Sequence, residues 1–270
     1  MILGNNVVQY KRGDFVILVI DIGNTNAVIG AFDGDKKLFL SRIATDRSKM
    51  SDEYAVTIKS ILSLYGVGDR EIEGAIISSV VPPLSRAFKN AVKRIDENIK
   101  VMMVGPGIKT GLNIKIDNPA QLGADIVCVS VAAQEKYPVP SLVIDMGTAT
   151  TFSAIDRNRN FLGGSILPGV RIGLEALVGR TAQLQQISLD GEVATIGKNT
   201  ADCMKSGIVL GAACMLDGLI ERYKEILGDD LTTVVTGGIS GDILPHCRQN
   251  IIRDEDLLID GLRILYEKNK

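Results

Sequence analysis

Three short segments of this 270-residue chain place a carboxylate or a pair of glycines where an apolar run stops. The first, Asp21-Ile22-Gly23-Asn24-Thr25-Asn26, follows the wholly apolar stretch Phe15 to Ile20. Gly23 lets backbone approach a ligand closely. Asn24, Thr25 and Asn26 bring uncharged donors that suit phosphate oxygens, and Asp21 is the residue type that holds a magnesium ion. The second segment, Asp145-Met146-Gly147-Thr148-Ala149-Thr150-Thr151, has the same design with three hydroxyls. One such turn is as readily a plain strand end. Two at corresponding places give facing phosphate turns, the makings of a nucleotide cleft. The third segment, Thr236-Gly237-Gly238, has glycines that permit positive φ and leave room for a base or ribose, although a simple turn also accounts for it. A further acid, Asp125, closes the run Asn118-Pro-Ala-Gln-Leu-Gly-Ala-Asp125 near the first turn of a predicted helix. The helix dipole there favours its ionised form. It is either a surface acid that helps the helix start, or the carboxylate base that a small-molecule kinase needs at a substrate hydroxyl.

The elements that must position these residues are readable from periodicity. Phe15–Ile20 and Gly74–Val80 are short β-branched runs that fit strands buried on both faces. Ala27–Phe32 and Lys37–Ile43 flank Asp33-Gly34-Asp35-Lys36 as a hairpin. Helices are expected from Ser51, with Tyr54, Ile58, Ile61 and Tyr65 on one face, from Pro82, and from about Gln121 to Tyr137. A strand at Lys100–Val104 lies between the last two. Then Leu142-Val-Ile-Asp145-Met-Gly147 repeats Leu18-Val-Ile-Asp21-Ile-Gly23 at an offset of 124 residues. A hairpin across Asp156–Asn160 follows, then a long helix over Thr200–Leu227, a strand at Leu231–Thr236 and a final helix through Gly261–Glu267. Gly163-Gly-Ser-Ile-Leu-Pro-Gly169 is expected to be a loop, either a connector or a segment fitted to a ligand or partner subunit. The pattern is an α/β duplication. Its expected domains are residues 16–138 and 139–270, with residues 1–15 a frayed extension.

Composition narrows the function. With 30 Lys and Arg against 32 Asp and Glu, the net charge is −2, and no basic cluster is available for nucleic acid. Hydrophobic residues make up 46%, enough for a core, yet no stretch reaches the uninterrupted apolar length of a membrane span. A soluble, cytoplasmic protein is expected. The single His246 rules out sites built on several histidines. Cys128, Cys203, Cys214 and Cys247 contain no C-x-x-C pair and read as small buried residues. Trp is absent and aromatics are only 4%, against stacking platforms for sugars or single strands. Neither a P-loop nor a strand-linked G-x-G-x-x-G is present.

The ordered set DIGNTN at 21–26, NPAQLGAD at 118–125, DMGTATT at 145–151, GGSILPG at 163–169, GKNT at 197–200 and TGG at 236–238 resembles that of type III pantothenate kinases, over residues 16 to about 268. The resemblance implies a duplicated ribonuclease H-like, actin-like ATPase fold with ATP in a cleft between two domains. It implies a homodimer that phosphorylates pantothenate, the first step of coenzyme A synthesis. Carried over by motif, Asp21, Ile22, Gly23, Asn24, Thr25, Asn26, Ala27 and Val28 would form the first phosphate loop, with Asp21 near Mg2+. Thr148, Gly237 and Gly238 would also meet ATP. Asp125 would be the base, and Asp145 would bind the monovalent cation, K+ or NH4+. Gly123, Ala124, Asp125, Ile126, Ile116 and Thr200 would lie along the pantothenate site.

Two positions depart from the family pattern: Ile126 stands where an arginine is typical, and Ile116 where a tyrosine is common. A lost charge-assisted contact is worth roughly 1.5–3 kcal/mol, or about 10- to 150-fold in transition-state binding. A weakened pantothenate kinase is therefore the first expectation. The alternative is a kinase-like paralogue with an altered substrate, or with lost catalysis and a regulatory, nucleotide-binding role. The helix segment Gly207–Leu219 is apolar over more than one face (Ile208, Val209, Leu210, Met215, Leu216, Leu219), which fits a dimer interface or core packing equally.

Overall fold

The computed structural model of the chain describes residues 15–68 and 70–270, so the expected extension lies almost wholly outside the described residues. Strand β1 (Val16–Ile22) is the centre of the first sheet. Val16 to Ile20 are at most 3% exposed. Burial on both faces is why this strand is uniformly apolar rather than alternating. Strands β2 (Asn26–Asp33) and β3 (Lys36–Ala44) follow as antiparallel neighbours. A two-residue turn joins them, with Gly34 at φ +57°, the left-handed geometry that tight hairpins demand. Helix α1 (Ser51–Leu64) buries Tyr54, Ile58, Ile61 and Leu62. Strand β4 (Ile72–Ser79) pairs in parallel with β1. Helix α2 (Pro82–Ile95) opens on two prolines, whose missing N–H groups cost nothing at a helix start, and leads to β5 (Lys100–Met103). The sheet order is β3-β2-β1-β4-β5.

After the short β6 (Asn113–Ile114) and helix α3 (Ala124–Lys136), the architecture repeats. Strands β7 (Ser141–Met146), β8 (Ala149–Ile155) and β9 (Asn160–Pro168) form the second antiparallel set. Helices α4 (Val170–Gly179) and α5 (Thr200–Leu227) precede β10 (Thr232–Thr236), which lies parallel to β7. Helix α6 (Ser240–Ile243), strand β11 (Ile252–Arg253) and helix α7 (Leu257–Asn269) complete the chain. The second sheet runs β11-β10-β7-β8-β9-β6. Without the two-residue β6 it is the first order again, with β9-β8-β7-β10-β11 in place of β3-β2-β1-β4-β5 and the same strand directions. The repeated Asp-x-Gly is therefore the visible mark of a duplicated topology.

The chain does not divide once near residue 138. One compact unit takes residues up to Thr110, Leu122–Cys128 and Ile259–Lys270, and the other takes Gly111–Gln121 and Val129–Leu258. Helix α7 joins the first unit for packing reasons. Gly261 lies so close to Cys128 of α3 that an added Cβ would land on the Cys128 carbonyl. Tyr266, 2% exposed, occupies the space a side chain at Gly74 would need. Arg263 ion-pairs with Asp35 at 2.6 Å.

Several expectations are corrected. Gly163–Gly169 is mostly strand β9, not a loop. Gly164 lies against the Phe152 backbone so tightly that no side chain fits, and Gly163 sits at φ +113° beside a register shift, so the glycines serve sheet geometry. Helix α3 starts at Ala124 rather than Gln121, because Pro119–Gln121 closes a separate 3-10 turn. Cys128 is buried, but Cys203 and Cys214 are exposed and Cys247 is half-buried. Helix α5 has the length and composition of a bilayer span. Its Met204, Val209, Ala212, Ala213, Leu216 and Ile220 nevertheless pack into the second unit's core.

Replacing Gly261 by Ala should cost about 1–3 kcal/mol of stability, the usual penalty of overpacking. Urea denaturation of G261A against wild type checks this, and an unchanged midpoint would show that α3 and α7 separate freely.

Candidate active site

In the first unit, β1 delivers Asp21, half-buried, to the carboxyl end of the sheet. Asp21 stands between Val28 on β2 and Ser78 on β4. The turn that follows exposes Asn24, Thr25 and Asn26, while Ile22 and Ala27 are buried anchors and Gly23 and Val28 are half-buried. Gly23 N donates to Asn26 O at 3.0 Å and closes the turn. A segment from beyond β3 braces it from outside. Thr45 N donates to Thr25 O at 2.9 Å, and Thr45 Oγ1 donates to Gly23 O at 2.7 Å.

Asp125 occupies the first turn of α3 in the same unit, where its Oδ1 accepts from Ile126 N at 2.8 Å. Burial pushes its carboxyl above the usual carboxylate value, and backbone hydrogen bonds from Ile126 and from its own N–H oppose this only in part. The dipole argument from sequence has the opposite sign, and desolvation outweighs it. Gly123 lies close beside it, so a Cβ there would push the Asp125 carboxylate aside. Ala124 and Ile126 are half-buried. One turn further along α3, burial pushes the Cys128 thiol well up, with the Asp21 and Asp125 carboxylates adding to the effect. Cys128 thus stays neutral, and the charges of both acids, which belong to the same unit, reach it.

The second unit builds its turn one residue tighter. Asp145 pairs with Thr151, whereas Asp21 pairs with Val28, and Gly147 N donates to Ala149 O at 3.0 Å. Asp145 is half-buried and Thr148 exposed. Gly169 N donates to Thr148 O at 3.1 Å. Gly237, at φ +99°, abuts the Met146 backbone at the end of β7, where any side chain would collide. Ser240 Oγ donates to Gly237 O at 2.7 Å and fixes that turn, and Gly238 is exposed. Asp145, Thr148 and Gly237 therefore gather around the carboxyl ends of β7 and β10. Thr200 starts α5, where the Asn199 side chain caps Asp202 N at 2.9 Å. It lines a shallow, mostly apolar hollow of about 440 Å³ with Leu177, Leu184, Cys203, Met204, Gly207 and Ile208. Ile116 is half-buried in this unit near Gly163, so the two departures from the family pattern, Ile116 and Ile126, fall in different units.

Thr45, Ser240 and Gly169 brace these turns, a role the sequence did not reveal. The one available signal was Thr45 directly after the hairpin that returns to the Asp21–Asn26 turn.

The two sheets, each ending its central strand in Asp-x-Gly, define a duplicated ribonuclease H-like fold of the actin-like ATPase type. The solved activator of the 2-hydroxyisocaproyl-CoA dehydratase from Clostridium difficile, with bound ADPNP, shares this fold at a TM-score of 0.53 and 12% identity, over 94% of each chain. A family model for type III pantothenate kinase matches residues 17–222. The chain is 42% identical over 255 residues to a type III pantothenate kinase of an Exiguobacterium species, covering 94% of this chain and 100% of that one. It is also 42% identical over 254 residues to one from a Geobacillus species, covering 94% and 98%. The chain belongs to the type III pantothenate kinase family.

The raised carboxyl of Asp125 has a consequence for stability. Its folded pKa lies above its unfolded value of 3.8, so the folded state binds the extra proton and its stability falls as pH rises through that interval. D125N removes a partly buried charge. It should melt at a higher temperature than wild type at pH 7, and the gap should close as pH falls towards 4. A variant that melts lower at pH 7 and keeps that deficit on acidification would contradict the desolvation account.

Proposed function

We propose that the protein transfers the γ-phosphoryl group of ATP to the hydroxyl of pantothenate, giving 4'-phosphopantothenate and opening coenzyme A synthesis. The observation that carries this reading is that one unit holds both Asp21, a strand-end carboxylate beside the first turn, and Asp125, a desolvated carboxylate at a helix start, with the charges of both reaching Cys128. Phosphoryl transfer asks the protein mainly for positioning, charge stabilisation and a base at the attacking hydroxyl. Asp125 takes the hydroxyl proton, and its raised proton affinity suits a base working near neutral pH. The backbone and side chains of residues 21–28 hold phosphate oxygens. Thr148 contributes a hydroxyl to phosphate, and Gly237 and Gly238 leave room for the nucleoside.

Mg2+ and a monovalent cation, K+ or NH4+, belong to this reading. Among the described residues, no three His, Cys, Asp or Glu come together as a cage. Single carboxylates at strand ends fit ions that take most of their ligands from water and substrate phosphates, the usual magnesium arrangement. Asp21 would hold Mg2+ and Asp145 the monovalent ion, and these charges neutralise the phosphates when bound. Thr200, the polar edge of an apolar hollow, fits a small substrate with both apolar and hydroxyl groups. A homodimer is supported by α5, whose most apolar window is only 28% buried. The protein is expected to work in the cytoplasm, without nucleic acid or membrane.

Purified protein with ATP, Mg2+ and K+ should release ADP only when pantothenate is added. D125N should lower that turnover about 10²- to 10⁴-fold, the share a general base supplies, and leave ATP affinity intact. Full activity in D125N would remove Asp125 from the role.

Exchanging K+ for Na+ should depress turnover, and Asp145→Asn should abolish the difference between the two ions. An activity indifferent to the ion in the unaltered protein would take the monovalent cation out of this reading.

A further inference from the structure

Neither phosphate turn carries a cation of its own, since residues 21–28 and 145–151 contain no Lys, Arg or His. A nucleoside triphosphate brings several negative charges, and a charge-assisted contact to phosphate is about twice as strong as a neutral one. The segment that braces the first turn supplies such a charge. Thr45 is bonded to Gly23 and Thr25 as described, and the next residues are equally fixed. The buried Tyr54 phenol donates to Asp46 O at 2.6 Å. The Asp46 carboxylate accepts from Ser48 N at 2.9 Å and Ser48 Oγ at 2.6 Å. Those bonds hold it below the usual carboxylate range and commit it to Ser48. Arg47, between these anchors, is exposed, and its Nη2 donates to Asn24 Oδ1 at 3.1 Å. Among the described residues Arg47 forms no ion pair, so the guanidinium rests on a side chain of the phosphate turn with its charge unmatched.

The second unit repeats the brace. Gly169 N donates to Thr148 O just as Thr45 N donates to Thr25 O. Two residues beyond Gly169 stands the exposed Arg171, 124 positions after Arg47, the offset that separates Asp21 from Asp145. Each copy of the unit thus keeps an arginine at the same step after the brace of its turn.

We propose that Arg47 binds the phosphates beyond the α-phosphate of the nucleotide held at the first turn, supplying the cation that the turn lacks. The inference rests on the reading that this turn takes ATP and adds a residue to it. Arginine suits the role, because the donors left over from Asn24 form a fork matched to phosphate oxygens. The test is calorimetric titration of the full chain with ATP and with AMP, for wild type, R47Q and R47K. R47Q keeps a donor towards Asn24 and loses the charge. It should bind ATP about 10- to 100-fold more weakly with AMP binding unchanged, and its KM for ATP should rise while that for pantothenate does not. R47K should recover most of the loss. Unchanged ATP affinity in R47Q would overturn the proposal. So would an equal loss for ATP and AMP, which would make Arg47 only a brace of the turn. ATP binding that depends on Arg47, without pantothenate-dependent turnover, would sink the substrate reading and leave this inference standing.

Discussion

Burial of the central strands on both faces decides where this chain can do chemistry. Val16–Ile20 in one unit and Leu142–Ile144 in the other are sealed from solvent, so neither strand can present a polar side chain along its length. Each carries its first carboxylate at the carboxyl end, where the sheet opens and the strand must turn. In open α/β sheets that edge is also where ligands bind. Strand burial, the strand-end acid and the glycine that follows it are therefore one constraint. A charge placed two residues earlier would cost far more than any site could return.

The duplication repeats this constraint without copying its details. The sheet orders match strand for strand, yet the second turn is one residue shorter, and its brace is a glycine where the first has Thr45. The difference follows from neighbours. Gly169 lies against the carbonyls of Gly147 and Thr148, a space with no room for a threonine side chain. The Thr45 hydroxyl has room to donate to Gly23. Gly237 adds a third strand end to the second unit, with its left-handed φ and its contact on Met146 excluding any other residue.

Much of this was legible from residue types alone. Runs of β-branched residues located β1, β4, β7 and β10, and Thr200–Leu227 matches α5 at both ends because Asn199 caps it and Gly228 stops it. What was illegible depended on distant partners. The glycine-rich 163–169 segment resembled a loop because nothing local reveals that Phe152 packs against Gly164. Helix α7 joins the first unit through Gly74 and Cys128, residues more than a hundred positions away. Short elements such as β6, β11 and α4 have too few residues for a periodic signal. The site residues could be named from motif, but their roles as neighbours could not. That the charges of Asp21 and Asp125 both reach the buried Cys128 thiol depends on how α3 sits against β1 in the folded unit.

Asp125 shows why packing also sets the chemistry. A helix start favours the ionised acid, and on that ground alone this residue would be an ordinary surface carboxylate. Burial works the other way and prevails. The residue beside it bears on this balance. Ile126 is half-buried and brings no charge that could offset the loss of water around the acid. Ile126 leaves the carboxyl where desolvation puts it. On the proposed function, weaker holding of an anionic substrate would raise KM, while the raised carboxyl of Asp125 would assist proton removal.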